Sequence, residues 1–520
     1  MSDLSTTTKK IEPFLYIPAV IFLIFISIFY LYTGSFFISP KFARFTTLGL
    51  LIYFLFSKNG NTLLKFVSLF VFYLSFTNPI PSSDLIPSRF FPLWLDPSTN
   101  FKFDLFLDQG STTLLSENDL TSLQGQMTNL PHPKEKGFLV APYFLVPGTN
   151  EILPTYPWTP GFFNFLIYKT FSFFHPIIPK MNYENTSSIL FVLPTIYRLE
   201  SFSAAILATA TSFLLYLILR LKPFSNSKAI SFLYVVIYSL CTSHFSNSSQ
   251  GLWQHTIIEF LLGLILYLVF LENNHHLRFL LIGLFAGILI YSRPSSIFLL
   301  TFPVVVLITK FKKFKWSFFL ALISFSITLL FFGLLNDSYY QHFLGGYSLH
   351  KIAYSYVGHS DLFSKPLWEG LFGLTFSPGF GYYIFSPILL LPLFYFPKIK
   401  NKGLFVCLLL PEVFLVLFYA KYVYWEGGHS YGARFLTDIN LYSILTFSMI
   451  PLAIWKNRIY QIVVSTLLIF SFYVQYFGAN QKEMVSLWNS CSYESNFAKS
   501  IDFKNLPFHP NLSRTNCTHQ

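Results

Sequence analysis

The chain has 520 residues, of which 53% are hydrophobic and only 11% are charged. Because a soluble domain carries roughly 25% charged residues, this composition excludes an ordinary soluble protein and favours one that uses lipid as its solvent. The net charge of +12 would suit a nucleic-acid binder, but the basic residues gather in short loops between apolar runs, which predicts membrane topology and no nucleic acid.

Apolar runs with the length of a membrane-spanning helix recur along most of the chain. Crossing a bilayer takes roughly 20 apolar residues, and only helices or closed barrels satisfy their backbone groups in lipid. We therefore predict an all-α fold, a polytopic transmembrane helical bundle of about 11–13 spans. The candidate spans are 14–36, 42–57, 62–78, 199–219, 229–246, 252–271, 278–292, 295–309, 316–335, 380–397, 403–421, 435–455 and 459–477.

The positions of lysine and arginine predict the orientation of these spans. If the N-terminus lies in the cytoplasm, the basic segments 220–228, 310–315, 398–402 and 456–458 all fall on the cytoplasmic side. Few basic residues then lie in short outer loops, as the positive-inside rule requires, and most acidic residues fall outside. The first apolar run is too long for a cleavable signal segment and is predicted to stay as an anchor.

Two large insertions are predicted on the non-cytoplasmic side. They are residues 79–198 and 336–379, both within a transmembrane domain of residues 1–477. The first insertion contains a short aromatic stretch, 162–174, which we predict to be a helix lying at the membrane interface.

The remaining residues, 478–520, form a polar tail that we also place outside. Two of the four cysteines, Cys491 and Cys517, lie in this tail and could pair. No Cys–His metal spacing, Walker loop, dinucleotide fingerprint, zinc-protease motif or nucleophile elbow is present in the sequence. This pattern argues against an ATP-driven pump, a nicotinamide enzyme and a zinc protease.

Polar residues cluster at the outer ends of several predicted spans. Asp84 and Arg89 follow the third span; a carboxylate there could accept a proton from a substrate hydroxyl, or the two could form an interfacial ion pair. His255 and Glu259 begin the sixth span at i and i+4, so they share a helix face. Ionisable residues inside a membrane are costly and usually functional, although these two could simply form a buried hydrogen-bonded pair.

The densest outer cluster lies between residues 424 and 435. Its glycines would let the backbone approach a ligand, its aromatic rings could stack on a sugar, and its arginine could hold a phosphate. The candidate residues are Trp425, Glu426, His429, Tyr431 and Arg434, with Asp438 just after them. A structural turn would not need all of these residue types together, so the cluster favours a functional site.

Two other outer features carry arginines. Arg293 lies at a junction between predicted spans, where it could pair with a phosphate, cap a helix end or snorkel. Arg198 and Glu200 are predicted to form a structural pair near the outer surface.

Five outer stretches match motifs of one known family. They are 84–92 (DLIPSRFFP) for D-x-x-x-x-R-x-x-P, 155–161 (TYPWTPG) for YP…P, 252–255 (LWQH) for LWQHG, 376–381 (FSPGFG) for FSPGKG and 425–435 (WEGGHSYGARF) for W-x-GG-x-SYGPRF. In this order and on this shared face, they resemble the bacterial branch of the GT-C superfamily of polytopic glycosyltransferases, which is similar to the dolichyl-phosphate-mannose protein mannosyltransferases.

The chain departs from the family pattern at several positions. Thr256, Phe380 and Ala433 stand where the family motifs have Gly, Lys and Pro. In addition, Asp84 follows the third predicted span, whereas the family's first outer loop follows the first span.

The resemblance implies a glycosyltransferase of the bacterial inner membrane that moves a sugar from a polyprenyl-phosphate donor to a lipid, glycan or protein acceptor on the non-cytoplasmic face, with inversion. In this view Asp84 is the base, and stabilisation of the departing phosphate is the largest catalytic effect. The implied phosphate-binding residues are Arg89, Arg293 and Arg434. The implied pocket residues are Tyr156, His255, Glu259, Trp425, Glu426, His429 and Tyr431. No cofactor is implied; some relatives bind a divalent metal, but no ligand set stands out here.

Three other functions fit parts of the pattern. A transporter or flippase of lipid-linked saccharides would place polar residues at the midplane of several helices, whereas only Glu259 and Glu412 lie deep here. A glycan polymerase or ligase would also use large outer loops and arginines, with a different acceptor. A non-catalytic scaffold would not depend on Asp84.

Overall fold

The computed structural model describes most of the chain, except its two ends, parts of the two insertions and a few short segments. The residues that it describes are 39–56, 61–76, 83–103, 139–141, 144–145, 153–173, 176–179, 186–272, 275–309, 315–340, 342–349, 361–428, 430–491 and 493–510, together with 25, 29, 30 and 33. Apart from those last four positions, the first predicted span, 14–36, lies outside this set. His429 and Cys517 also lie outside it. Cys491 is disulfide-bonded, whereas Cys241 and Cys407 are free.

The described chain is mostly α-helical. Its helices are α1 Pro40–Phe56, α2 Thr62–Leu74, α3 Ile86–Trp94, α4 Thr159–Ser172, α5 Thr186–Arg220, α6 Lys228–Cys241, α7 Gln254–Phe270, α8 His276–Ser292, α9 Thr301–Thr309, α10 Lys315–Tyr340, α11 Leu367–Thr375, α12 Tyr382–Phe385, α13 Leu391–Phe394, α14 Lys402–Ala420, α15 Asn440–Phe447, α16 Arg458–Asn480, α17 Lys482–Ser490 and α18 Asn496–Ser500. A π-helix, His244–Ser248, follows α6, and 3₁₀ turns include Ser83–Leu85, Pro294–Leu300, Gly345–Leu349, Pro387–Leu390, Phe396–Lys398, Arg434–Ile439 and Ile454–Lys456.

A small antiparallel sheet in the first insertion departs from the all-α prediction. Its strands are β1 Leu139–Ala141, β2 Phe144–Leu145 and β3 Leu153–Pro154, in the order β1-β2-β3. Leu139 pairs with Leu145, and Phe144 pairs with Pro154. Strands of two or three residues are too short to show the alternating pattern from which strands are predicted.

Four helices in the described part of the chain are long and apolar enough to span a membrane. They are Phe191–Arg220 within α5, Trp316–Tyr340 within α10, Lys402–Ala420 and Arg458–Asn480. They coincide with the predicted spans 199–219, 316–335, 403–421 and 459–477. The α5 segment is 72% buried inside the protein, whereas the α10 segment is only 17% buried, so α5 lies at the centre of the bundle and α10 at its edge.

Large apolar side chains on the outer helices point away from the protein. Phe331 on α10 is 60% exposed, and Ile462 and Ile469 on α16 are 67% and 70% exposed. A soluble surface rarely presents such rows of apolar side chains. The exposed faces of these helices therefore suit the lipid environment that the sequence predicts.

The predicted spans 380–397 and 435–455 are broken into short pieces. Between residues 380 and 397, short helical pieces alternate with 3₁₀ turns, and Pro387, Pro392 and Pro397 all fall in this stretch. Between 435 and 455, a 3₁₀ turn leads into the eight residues of α15, and the chain bends again around Pro451. Proline removes a backbone donor and clashes with the preceding turn, which breaks a helix whatever its hydropathy.

Helices α8 and α10 pack unusually closely. A Cβ built on Gly283 would lie 2.1 Å from the backbone oxygen of Ala321, and one on Gly287 would lie 2.7 Å from Cβ of Thr328. Only glycine permits this approach between the two backbones. The end of α8, which Arg293 follows, is held in place by this contact.

Candidate functional site

Asp84 and Arg434 form the centre of a cluster of polar residues at the ends of several helices. Asp84 lies in the 3₁₀ turn before α3, and Arg434 begins the 3₁₀ turn before α15. Nη1 of Arg434 lies 2.6 Å from Oδ2 of Asp84, and the hydroxyl of Tyr156 donates to Oδ1 of Asp84 at 3.3 Å. The Asp84 side chain is 19% exposed and that of Arg434 is 9% exposed, so the carboxylate is held in place but stays accessible.

The loop before Arg434 turns sharply because it is rich in glycine. Gly427, Gly428 and Gly432 have φ values of +83°, +67° and +65°. Residues with a side chain rarely adopt this backbone region. The turns bring Arg434 to Asp84, which precedes it by 350 residues.

The guanidinium of Arg434 is packed between aromatic rings. Its Cζ lies 4.6 Å from the ring centre of Trp253 and 5.7 Å from that of Phe435. Its Nε is buried and has no hydrogen-bond partner among the residues that the structure describes. A buried donor without an acceptor is costly, so this N–H favours an anionic ligand at the position.

A second charged cluster adjoins the first through the same 3₁₀ turn. Asp438 accepts from Arg293 at 3.0 Å and contacts Nδ1 of His255 at 2.7 Å. The guanidinium of Arg293 lies 4.9 Å from the ring centre of Phe435 and 5.1 Å from that of Tyr419. Asp84, His255 and Arg434, predicted separately from the sequence, are thus brought to one region.

Tyr347 also belongs to this region, although it was not among the predicted site residues. Its hydroxyl donates to Oε1 of Gln254 at 2.8 Å, and its ring lies 6.3 Å from that of Tyr156. Tyr347 is in the second insertion and Tyr156 in the first, so both insertions reach the site. The two glycines that precede it, Gly345 and Gly346, are a turn signal in the sequence that could have pointed to it.

Glu259 lies in a different cluster from His255, so the alternative of a hydrogen-bonded pair between them is wrong. Its carboxylate is 2.7 Å from Nδ1 of His244 and accepts from Tyr238 at 3.1 Å and Asn440 at 3.3 Å. Both Glu259 and His244 are fully buried. One turn of helix rises about 5.4 Å, so two residues on the same face can meet different neighbours.

Arg89 pairs with Glu200, so the predicted pair of Arg198 with Glu200 is wrong. The Arg89–Glu200 distance is 2.5 Å, both side chains are at most 5% exposed, and Glu200 also accepts from the backbone N–H of Leu252 at 2.8 Å. Arg198 instead donates to Thr195 at 2.8 Å. Residues two apart on a helix face different directions, which separates Arg198 from Glu200.

The other residues of the 424–435 cluster are held by neighbouring helices. Trp425 donates to Glu369 at 3.2 Å, and Tyr431 donates to the backbone oxygen of Val474 at 2.6 Å. Glu426 accepts from Asn496 of the tail at 2.5 Å, and burial raises the pKa of Glu426 to about 7. These contacts position the loop that carries Arg434.

We expect Gly373→Ala to lower the free energy of unfolding by about 1–3 kcal/mol, because an added methyl group overpacks a tight core. The new Cβ would lie 2.3 Å from the ring of Trp425. That ring is held in place by its hydrogen bond to Glu369 and by its contact with the ring of Phe380. Thermal unfolding of the purified protein in detergent measures the change.

The matched control is Gly49→Ala, also within a helix. No atom lies within 4 Å of the Cβ that it would add, so the change should be neutral or stabilise by roughly 0.5–1 kcal/mol. Equal shifts for the two variants would contradict the tight packing around Trp425.

Within the ranges that the structure describes, no three His, Cys, Asp or Glu side chains are grouped so that they could hold a metal ion. The arrangement instead offers a carboxylate with two hydrogen-bonding neighbours, two ring-packed arginines and several tyrosines.

No known protein family and no curated protein matches this sequence.

Proposed function

We propose that this chain is a multi-pass membrane glycosyltransferase that moves a sugar from a polyprenyl-phosphate donor to a lipid, glycan or protein acceptor on the non-cytoplasmic face. The observation that carries the proposal is the contact of Asp84 with Arg434 and Tyr156, beside the cluster of Arg293, His255 and Asp438. A partly accessible carboxylate next to arginines suits a reaction in which a hydroxyl loses a proton and a phosphate departs.

Asp84 serves as the base in the proposed reaction. It accepts the proton of the acceptor hydroxyl as that oxygen bonds to the anomeric carbon of the sugar. The bond from the anomeric carbon to the phosphate oxygen breaks on the opposite side, so the configuration inverts and the lipid phosphate keeps the electron pair. Tyr156, donating to the other carboxylate oxygen, orients Asp84 for this step.

Arg434 and Arg293 stabilise the departing phosphate in this proposal. Both are planar cations packed on aromatic rings, and Nε of Arg434 lacks an acceptor among the described residues. Preorganised cations at a developing negative charge are worth most where water is excluded. Arg89 is assigned a positioning role instead, because it pairs with Glu200, which also holds the backbone N–H of Leu252 next to Trp253.

Membrane orientation belongs to the same proposal. The four candidate spans and five shorter apolar helices, together with the distribution of lysine and arginine, support several crossings of a bacterial inner membrane with the N-terminus inside. The proposed site then lies on the outer face, where polyprenyl-phosphate sugars are presented.

A transporter of lipid-linked saccharide is the second candidate, and one observation favours it. Two carboxylates buried among apolar helices are joined by polar side chains. Asn440, which contacts Glu259, lies 2.9 Å from the hydroxyl of Tyr382, which is 3.0 Å from Ser443. Ser443 in turn donates to Glu412 at 3.0 Å. Buried acids in a membrane often carry protons or ions.

The two candidates differ in their product. We expect purified protein in lipid vesicles to transfer labelled sugar from a polyprenyl-phosphate sugar onto an acceptor fraction prepared from cells that lack the protein. Mass spectrometry of those cells should show that the surface glycans lack one sugar and that the polyprenyl-phosphate sugar accumulates. Movement of intact labelled donor across the vesicle, with no transfer, would favour the transporter instead.

A further inference from the structure

A cleft next to the Asp84–Arg434 pair is not used by the proposed mechanism. Its cavity volume is about 40 Å³, and it shares Trp253 with the site because the ring of Trp253 also packs on Arg434. One wall is a single face of α17, which presents Lys482, Ser486 and Asn489. The tail that supplies this wall lies far in sequence from the residues around Trp253.

The walls of the cleft are rich in hydrogen-bond donors. Lys482 is only 6% exposed, and none of the described residues that line the cleft is acidic. Trp253 is 5% exposed, and its indole N–H has no acceptor among the residues described. A buried N–H without an acceptor, on a wall that also carries a lysine, is an environment that a phosphate or carboxylate favours.

The cleft also lies at the end of a candidate span. Gly478 lines it, two residues before α16 ends at Asn480. Lipid headgroups lie at this level of a bilayer, just beyond the hydrocarbon core. An anion that reaches the cleft from the membrane is therefore a headgroup phosphate.

We infer that this cleft binds a phosphate on a second, lipid-linked substrate, with Lys482 as its cation and Trp253 as a neutral donor. The inference rests on the proposed function and names the acceptor class: if Arg434 and Arg293 take the donor phosphate, the cleft takes the phosphate of a lipid-linked acceptor. The two phosphates then lie on either side of Trp253, whose ring packs on Arg434, the partner of Asp84.

The charges around Lys482 make this binding depend on pH. Burial lowers the pKa of Lys482 to about 7, Glu200 opposes this effect, and Arg89 and Arg44 reinforce it. A bound phosphate favours the ammonium form, so affinity should be highest at or below pH 7 and should fall as the amine loses its proton toward pH 9. A guanidinium at the same position stays charged over this range.

Native mass spectrometry of the full chain in detergent can count bound lipids. We expect two copies of a polyprenyl phosphate on the wild type at pH 7, one on Lys482→Met and one on Arg434→Met. Loss of a charge-assisted bond should weaken the cleft site by about 10- to 100-fold. Lys482→Arg should keep the second copy at pH 9, where the wild type loses it, and Trp253→Phe should weaken it by about 3- to 10-fold.

Three comparisons separate the outcomes. Lys504→Met, a change of an exposed lysine in the same tail, should leave both copies bound. A polyprenol without phosphate should not bind in a manner that depends on Lys482. Equal binding of the polyprenol, or two copies on Lys482→Met, would overturn the inference; displacement by millimolar inorganic phosphate alone, with no preference for the lipid, would overturn the lipid-linked assignment.

The result is independent of sugar transfer. If Lys482 controls one bound lipid phosphate while Asp84→Asn leaves the surface glycans unchanged, the phosphate site stands and the proposed function fails. If Asp84→Asn abolishes transfer while Lys482→Met binds two lipids, the proposed function stands and this inference fails.

Discussion

Replacing Asp84 with asparagine is expected to reduce sugar transfer by about 10²- to 10⁴-fold, the usual contribution of a general base. The amide has nearly the shape of the carboxylate, but its single oxygen can accept from only one of Arg434 and Tyr156, whose donors lie 2.6 and 3.3 Å from the two oxygens of Asp84. It cannot take a proton from an acceptor hydroxyl. Transfer in vesicles and the surface glycan profile of cells that express the variant both measure the effect.

The control for this experiment is Asp337→Asn, an exposed carboxylate at the end of α10. It should leave both transfer and the amount of protein in the membrane unchanged. If Asp84 served only as an ion-pair partner for Arg434, its asparagine variant would lose thermal stability but keep its glycan profile. Matching profiles for wild type and Asp84→Asn would remove Asp84 from the mechanism.

The helical part of the fold could be predicted because hydropathy acts locally. The apolar runs at 199–219, 316–335, 403–421 and 459–477 all lie within long helices. Where prolines interrupt an equally apolar run, as at 380–397, the backbone breaks into short pieces. Hydropathy measures the preference for lipid and carries no information about the backbone donors that proline removes.

The region of the site could be predicted, but several of its pairings could not. Topology places a residue on one face of the membrane, and that was enough to bring Asp84, His255 and Arg434 together. It does not specify how each helix is rotated about its axis. The pairing of Arg89 with Glu200 and that of Glu259 with His244 therefore could not be predicted. His244 also lies in a π-helix, which no sequence pattern indicated.

Arg434→Met is the second change with a large expected effect, a loss of transfer of about 10²- to 10³-fold, as for removal of a donor that stabilises developing negative charge. Methionine keeps much of the apolar stem that packs on Trp253 and Phe435. It removes the cation and the buried Nε–H. Arg458→Met, an exposed arginine at the start of α16, is the matched control and should not change transfer.

Combining Asp84→Asn with Arg434→Met tests whether the two residues act in one step. Their contact at 2.6 Å predicts strong coupling, because each residue positions the other. Without the base, stabilising the departing phosphate can accelerate the reaction only slightly. The transfer rate of the double variant should therefore lie within about 10-fold of that of Asp84→Asn alone. Losses that multiply fully would mean that Arg434 acts in a separate step, such as binding the donor before the reaction begins.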